Sequence, residues 1–329
     1  MVIKRTSPLG QKLTRLLVGI DALIILLTVS ACQNTATPLP VVGLAPASPL
    51  PAVLPAPTVP PVVISTPIEA LIEGMARSET PLIAPPPSAV LAESLTPAPA
   101  NPSVIGYSVQ ARPLTVYRFG TGDRILLLVG GIHGGWEANT IELVEGLIDH
   151  FSATPGDILP GIAIHLIPAA NPDGMALGTG RNARYNGHAV DLNRNWGCEW
   201  SSEAYWRDQR VFAGSAPMSE PETQSIAAYV LEMRPAVVLF YHSQAAGVFA
   251  GDCEERGVSH AMSAVYGEAS GYSFGAPFSA YPVTGTAASW VDSLGIPSAD
   301  VELESHNDPE IARNLQAVLI LQEWMIAQP

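Results

Sequence analysis

The sequence predicts a single α/β domain in which helices cover both faces of a twisted sheet, preceded by an N-terminal region outside the core. Three observations lead to this prediction. Short apolar runs alternate with segments of helical periodicity from residue 124 onward, an order typical of a mostly parallel or mixed sheet. Proline and alanine dominate the chain between residues 33 and 102. The part that follows, about 225 residues, has the length of one domain.

Residues 1–32 have the pattern of an export signal. An apolar stretch, 16–29, ends in "VSAC", and the cationic residues before it are Lys4, Arg5, Lys12 and Arg15. The small residues before Cys32 match the site at which a bacterial lipoprotein is cleaved and lipidated. An ordinary signal peptide and a single membrane anchor are the alternatives, and Asp21 within the apolar stretch disfavours the anchor. We expect an exported lipoprotein, at the cell surface or in the periplasm, that is held to the membrane by lipid on Cys32.

Residues 33–102 form a Pro/Ala-rich stalk in this interpretation. Proline removes backbone donors and favours extended polyproline conformations, so the segment is predicted to be disordered. The folded domain is then 103–329.

Within that domain the apolar runs predict buried strands, and the periodic segments predict helices. The strands are 124–131, 161–170, 236–243 and 297–305. The helices are 137–151, 219–233, which opens with a capping-box spacing of Ser219 and Glu222, and 308–328, with Pro309 in its first turn. Because open sheets of this kind carry their sites beyond the carboxyl ends of the strands, polar residues after each run are candidates.

Charge and cysteine content limit the partners. A net charge of −14 disfavours nucleic acid as a binding partner, because both would be negatively charged. Apart from Cys32, the cysteines are Cys198 and Cys253. In an exported protein a disulfide between them is the simplest expectation, with two thiolate metal ligands as the weaker alternative.

Two of the seven histidines differ from the rest. His133 and His242 each stand at the end of a predicted buried strand, whereas His165 lies within one and is expected to be a core residue. A catalytic zinc uses three protein ligands and an open position, and two His with one Glu is an established set.

Several motifs, in order, resemble the carboxypeptidase A-like zinc metallocarboxypeptidases. They are "GGIHGGWEANT" (130–140), "ANPDG" (170–174), "RNAR" (181–184), "VDLNRNW" (190–196), "SEPET" (219–223), "YHS" (241–243), and a tyrosine at 281 followed by "GTAASW" and "VEL" (285–303). The resemblance implies a single α/β/α domain around a mixed, mostly eight-stranded sheet that binds one zinc ion.

Carried over position by position, the resemblance assigns roles to eight residues. The implied metal ligands are His133, Glu137 and His242. The implied catalytic residues are Arg184 beside the developing oxyanion, Tyr281 closing over the substrate, and Glu302 as the general base. The implied binding pair for the substrate's terminal carboxylate is Asn193 and Arg194, a guanidinium and an amide that suit a planar anion.

Two departures from the family pattern matter. The first two ligands are usually spaced H-x-x-E, but His133 and Glu137 have three residues between them. Helical neighbours occur at both spacings, and Gly134 and Gly135 could absorb the extra residue through positive φ. Ala288 occupies the place that often selects the last side chain of the substrate. It offers no counter-charge, which mildly disfavours a preference for Lys or Arg unless another loop supplies a charge.

The expected function is therefore zinc-dependent hydrolysis of C-terminal peptide bonds by a monomeric enzyme. The substrate is a peptide or a muropeptide, because relatives of this architecture also cleave γ-D-glutamyl bonds in peptidoglycan. Acyl removal from amino acids is disfavoured by export. A non-catalytic module that binds a peptide terminus is the alternative from another class.

Overall fold

The computed structural model describes residues 102–254 and 257–328. The predicted signal, the lipidated Cys32 and the stalk before residue 102 lie outside the described residues. In the described part, no helix combines the length and apolarity that a membrane crossing would need.

Ten strands are described, eight of them in one mixed sheet. They are β1 (Ser103–Tyr107), β2 (Pro113–Gly120), β3 (Arg124–Val129), β4 (Ile162–Ile167), β5 (Ala204–Trp206), β6 (Gln209–Val211), β7 (Val237–Ser243), β8 (Gly247–Ala250), β9 (Ser273–Phe274) and β10 (Ser298–Leu303). The order across the large sheet is β1-β2-β4-β3-β7-β10-β8-β9, while β5 and β6 form a separate hairpin. The predicted eight-stranded α/β architecture is confirmed.

Six α-helices are described. They are α1 (Ala138–Ala153), α2 (Pro172–Ala176), α3 (Pro221–Met233), α4 (His260–Ser270), α5 (Ala287–Ser293) and α6 (Ile311–Ala327). Apolar side chains of α1, α4 and α6 form one core layer with one face of the sheet. Those of α3 and α5 form a second layer with the other face. Side chains alternate between the layers along each strand, as in β7, where Leu239 belongs to the first and Phe240 to the second.

The four central strands place the functional residues at one edge. Strands β4, β3, β7 and β10 are mutually parallel. Their carboxyl ends therefore meet at the same edge of the sheet, where an open α/β sheet forms its crevice. His133 follows β3, and His242 lies near the end of β7.

Two helix starts differ from the prediction. Helix α3 begins at Pro221, with Glu220 as the N-cap and no side-chain hydrogen bond at the cap. The predicted capping box is wrong, because the hydroxyl of Ser219 instead donates to the Glu220 carboxylate. Helix α6 begins at Ile311, two residues after Pro309.

A disulfide joins Cys198 and Cys253 across the second core layer. Both cysteines are buried. The link ties the loop after the "VDLNRNW" motif to the segment that follows β8.

His165 lies in β4 and is buried, as predicted for a core histidine. Its Nδ1 is 2.8 Å from the hydroxyl of Tyr229. Desolvation, with a smaller contribution from Arg118, lowers the pKa of His165 to about 4. The His165 imidazole therefore binds a proton near pH 6.5 in the unfolded chain, but only near pH 4 in the folded chain.

We expect the stability of the metal-free protein to fall as the pH decreases from 6.5 to 4, with His165 responsible for at most about 3 kcal/mol of that loss. Replacing His165 by Asn should reduce the loss. Urea unfolding at pH 7 and pH 4.5 measures it, with the exposed His260→Asn as the matched control. An unchanged loss in His165→Asn would show that other groups cause the acid sensitivity.

Candidate active site

A cavity of about 590 Å³ opens at the carboxyl ends of β3, β7 and β10. All eight residues that the resemblance singles out for chemistry line it. They are His133, Glu137, Arg184, Asn193, Arg194, His242, Tyr281 and Glu302. Six separate segments of the chain contribute these side chains. The fold therefore brings together residues that lie up to 169 positions apart in the sequence, from 133 to 302.

Three of these residues form a candidate metal centre. Ligand atoms of His133, Glu137 and His242 all lie within 4.8 Å of one another, and the three residues are buried. The Nδ1 atom of His133 is buried without a hydrogen-bond partner among the described residues. A buried polar atom in that state is costly unless something binds it. The donor set of two imidazoles and one carboxylate fits zinc.

The segment between the first two ligands is a 3-10 turn, Gly134–Glu137, with His133 as its N-cap residue. Gly134 has a positive φ of 49°, as the sequence suggested. The suggestion is wrong for Gly135, whose φ is not positive. Position 135 nevertheless requires glycine, because a Cβ atom at this residue would lie 1.9 Å from the carbonyl oxygen of Gly178. The longer spacing is therefore accommodated by a tight turn rather than by an α-helical face.

Neighbouring groups hold the ligands in place. The backbone N–H of Ser243 donates to Glu137 Oε2 over 3.2 Å, and Arg184 Nη1 lies 3.5 Å from Glu137 Oε1. His242 Nδ1 is 3.5 Å from Glu137 Oε2, and its Nε2 is 3.2 Å from Asp300 Oδ1. Such outer partners orient metal ligands and raise their basicity.

The two histidines have opposite pKa shifts. Burial, with the Arg184 charge next, lowers the pKa of His133 well below its usual range. Burial also lowers that of His242, but the carboxylates of Asp300 and Glu137 outweigh it and raise the pKa to about 10. A metal ion has to replace a proton at His242, so metal affinity should fall in acid.

Arg184 is a buried cation held by two carboxylates. Its Nε and Nη2 lie 2.9 and 2.8 Å from Asp191 Oδ2. The Asp191 and Glu137 carboxylates raise the pKa of Arg184 despite the opposing effect of burial. The guanidinium also lies over the ring of Trp206, 4.6 Å from its centroid. Its remaining Nη1 faces Glu137, beside the metal centre.

Asn193 and Arg194 are fixed by backbone contacts. Asn193 Oδ1 accepts a hydrogen bond from the N–H of Ala287 over 2.8 Å. Arg194 donates through Nε to the carbonyl of Tyr205 and through Nη1 to that of Asn193. Five N–H donors belong to a guanidinium, so others remain to face the cavity.

Glu302 and Tyr281 are the remaining two of the eight residues that line the cavity. The N–H of Ala245 donates to Glu302 Oε2 over 3.1 Å. Burial raises the pKa of Glu302 to about 7, and the nearby His242 opposes part of that rise. Tyr281 lies on the loop before α5 and packs edge-on against Phe278 at 4.9 Å between ring centroids. Burial raises the pKa of its phenol, so the hydroxyl stays protonated at neutral pH.

Sequence reasoning missed two carboxylates of this site. Asp191 pairs with Arg184 and lies 3.6 Å from His133 Nδ1. In the sequence, Asp191 could have been recognised by its place within the motif "VDLNRNW". Asp300 lines the cavity beside His242. In the sequence, Asp300 could have been recognised by its position two residues before Glu302 on the same strand, because this spacing puts both side chains on one face.

For His306 the sequence favours an ordinary loop position over a role beside the metal ligands, but the structure places this residue at the site. Its Nδ1 lies 2.8 Å from the Ser243 hydroxyl, next to the ligand His242. No spacing in the sequence connects this loop residue to the metal centre, because the connection depends on how the loop after β10 folds back.

Comparison with known proteins agrees with this geometry. Residues 92–324 match the family described as zinc carboxypeptidase. Murein peptide amidase A of Escherichia coli strain K12 is 31% identical over 127 residues, which cover 35% of this chain and 48% of that protein. Carboxypeptidase B of Astacus astacus is 30% identical over 161 residues, which cover 42% and 52%. The chain thus spans about half the length of these two relatives.

The fold agrees as well. The crystal structure of thrombin activatable fibrinolysis inhibitor superposes with a TM-score of 0.61, covering 70% of each chain at 18% identity. The family match extends over most of the described domain and includes all eight cavity residues named above. This chain therefore belongs to the zinc carboxypeptidase family.

Proposed function

We propose that this protein is a metallopeptidase that acts outside the cytoplasm and hydrolyses the C-terminal peptide bond of its substrate. One observation carries the proposal. A metal-binding set, a carboxylate of raised pKa, and a buried arginine beside an amide all line the same cavity. A peptidase that acts within a chain has no use for a buried carboxylate-binding pair, whereas one that releases the last residue does.

The proposed reaction divides among the residues as follows. Arg194 and Asn193 bind the terminal carboxylate through N–H donors that match a planar anion. His133, Glu137 and His242 would hold a zinc ion, which would supply Lewis acidity and lower the pKa of water toward about 7. Glu302 accepts the proton of the attacking water at a carboxylate oxygen and passes it to the leaving amine.

Two further residues take part in the proposed reaction. One stabilises charge on the substrate's carbonyl oxygen, and the other limits access of solvent. Arg184 Nη1, beside Glu137, donates to the oxygen on which negative charge develops, a contribution that is usually among the largest. Tyr281, on the loop before α5, covers the bound residue and limits access of bulk water.

The test uses the purified full chain. Peptides with free and amidated C-termini are incubated with it, and released residues are measured by mass spectrometry. We expect release of one residue from the free acid only, loss of activity after chelation, and recovery with zinc. Cleavage of the amidated peptide at the same rate would remove the assigned role of Asn193 and Arg194.

A second candidate substrate is a peptidoglycan stem peptide cut at a γ-D-glutamyl bond. The similarity to murein peptide amidase A supports it. Purified muropeptides in the same assay distinguish the two: release of the terminal residue from muropeptides, with linear peptides left intact, would replace the first candidate by the second.

For location, we propose export and lipid anchoring through Cys32. The signal pattern of residues 1–32 and the Cys198–Cys253 disulfide support this, because disulfides persist in oxidising compartments. The wild-type protein should partition into detergent and the Cys32→Ser variant into the aqueous phase. Equal partitioning of the two would contradict anchoring.

A further inference from the structure

Two exposed arginines, Arg181 and Arg207, lie beside the cavity and are called the rim arginines below. Arg207 is in the turn between β5 and β6 and lines the cavity. Its guanidinium carbon is 5.6 Å from the centroid of the Trp206 ring, and that of Arg181 is 4.7 Å from the same centroid. Arg181 donates a hydrogen bond to the neutral side chain of Gln209. Among the residues that the structure describes, neither rim arginine forms an ion pair.

The other two arginines of the cavity already have partners. Arg184 also lies over the Trp206 ring, but it is paired with the carboxylates of Asp191 and Glu137. Arg194 donates to two backbone carbonyls and is the residue proposed to bind the terminal carboxylate. The rim arginines therefore retain both their charge and most of their N–H donors for a further anion.

The charge of the rim arginines is opposite to that of the chain as a whole. The net charge of the chain is −14, and no lysine follows Lys12. Asp208, next to Arg207, also lines the cavity, but within the described part of the chain it makes no ion pair with either rim arginine. Positive charge at the opening of a cleft attracts anions to that place, whereas an acidic surface elsewhere repels them. The rim is therefore suited to an anionic group of the substrate.

The neighbours of the rim arginines indicate which part of the substrate they meet. In the proposed reaction Arg184 donates to the carbonyl of the bond that is cut, and the rim arginines share the Trp206 ring with it. Trp206 also contacts Trp136, the residue before the candidate ligand Glu137, with 5.6 Å between ring centroids. Beyond that carbonyl the substrate continues as its acyl part, which advances about 3.4 Å per residue when extended. A side chain one or two residues before the leaving residue is therefore within reach of the rim.

We propose that the rim arginines bind a carboxylate carried by the acyl part of the substrate, within two residues of the bond that is cut. This inference rests on the proposed hydrolysis of the terminal peptide bond. The carboxylate belongs to an Asp or Glu side chain in a linear peptide, or it is the free α-carboxylate of a glutamate linked through its γ-carbonyl in a muropeptide. The substrates in the test separate these two sources.

The test compares kcat/KM for the release of leucine from peptides that differ in the acyl part alone. Two pairs carry Glu or Gln at the last or the second-last acyl position, and a third pair carries γ-linked glutamate with a free or an amidated α-carboxyl group. In the wild type, at least one anionic peptide should be preferred over its neutral partner by about 3- to 10-fold, the scale of one or two exposed ion pairs. The preference should shrink between about 0.01 M and 1 M salt, because exposed charges are screened.

Two variants of the same hairpin test the assignment to Arg207. Arg207→Gln should reduce the preference to less than about twofold and leave kcat/KM for the neutral peptides within about twofold, as for other exposed substitutions. Arg210→Gln removes the same charge from an exposed position on β6 that is not among the residues lining the cavity, and it should keep the preference. An equal loss in Arg210→Gln would show that the overall charge causes the preference, and the proposal would be wrong.

Failure of this inference can be distinguished from failure of the proposed hydrolysis. Equal release of leucine from the anionic and neutral peptides overturns the inference and leaves the hydrolysis intact. A uniform decrease for every peptide in Arg207→Gln also overturns it, because Arg207 would then support the structure rather than bind an anion. If no peptide is cleaved, calorimetry with the same peptides and the zinc-loaded protein measures binding without turnover. Tighter binding of an anionic peptide that disappears in Arg207→Gln supports the site, and equal binding within each pair contradicts it.

Discussion

Replacing Glu302 by Gln is expected to lower kcat by about 10²- to 10⁴-fold, the range for removal of a general base. The amide keeps the shape of the side chain and can still accept the hydrogen bond from the Ala245 N–H. It cannot accept a proton from water at neutral pH. Because Glu302 is outside the metal-binding set, zinc should remain bound at one equivalent per chain. Kinetics on a peptide substrate and elemental analysis of the same sample measure both quantities.

Glu304 offers a matched control for this substitution. It is two residues further along the chain, but its side chain is 58% exposed and forms an ion pair with Arg313 at 2.6 Å. Glu304→Gln should therefore leave kcat within about twofold, as for other exposed substitutions. A large loss in Glu304→Gln, with activity retained in Glu302→Gln, would transfer the role of base to Glu304.

The central strands could be predicted because they are buried on both faces. Runs such as 124–131 and 236–243 are continuously apolar, a pattern that needs no knowledge of the neighbours. Strands β1, β2 and β8 are shorter or partly exposed, and their pairing partners decide their conformation. Residues 103–120 were therefore not recognised as two strands from sequence alone.

Family motifs identified the eight cavity residues, but the physical reason first given for the ligand spacing was incomplete. An α-helical face between His133 and Glu137 was one explanation, and the structure has a 3-10 turn instead. The decisive constraint is the approach of Gly135 to Gly178, a contact between segments that local sequence cannot reveal.

Asp300 illustrates a second limit. Its position two residues before Glu302 is readable in the sequence. Its contact with His242 is not, because that contact depends on which charged groups the fold brings nearby. The pairing of Arg184 with Asp191 and Glu137 removes one candidate partner. Such competition among buried charges follows from tertiary packing, because each pairing excludes another.

Replacing Glu137 by Gln is expected to weaken zinc binding by at least about 100-fold, since loss of an outer partner of a ligand already costs 10- to 100-fold. The neutral amide is a poor ligand for zinc beside two imidazoles. It can still accept the N–H of Ser243, and Arg184 keeps its pair with Asp191. The metal-free variant should therefore remain folded, and zinc affinity measured by competition with a chelator reports the change directly.

Thermal unfolding provides an independent measurement of the same loss. A ligand that binds only the folded state stabilises it by about 2.7 kcal/mol at a concentration of 100 times its Kd. Zinc at that concentration should raise the Tm of the wild type, and a 100-fold weaker site should lose most of this increase. Glu142→Gln, at an exposed position on α1, keeps the zinc-dependent increase if the effect is specific. An equal increase in Glu137→Gln would show that Glu137 does not bind the metal, and the H-x-x-x-E spacing would then have lost its function.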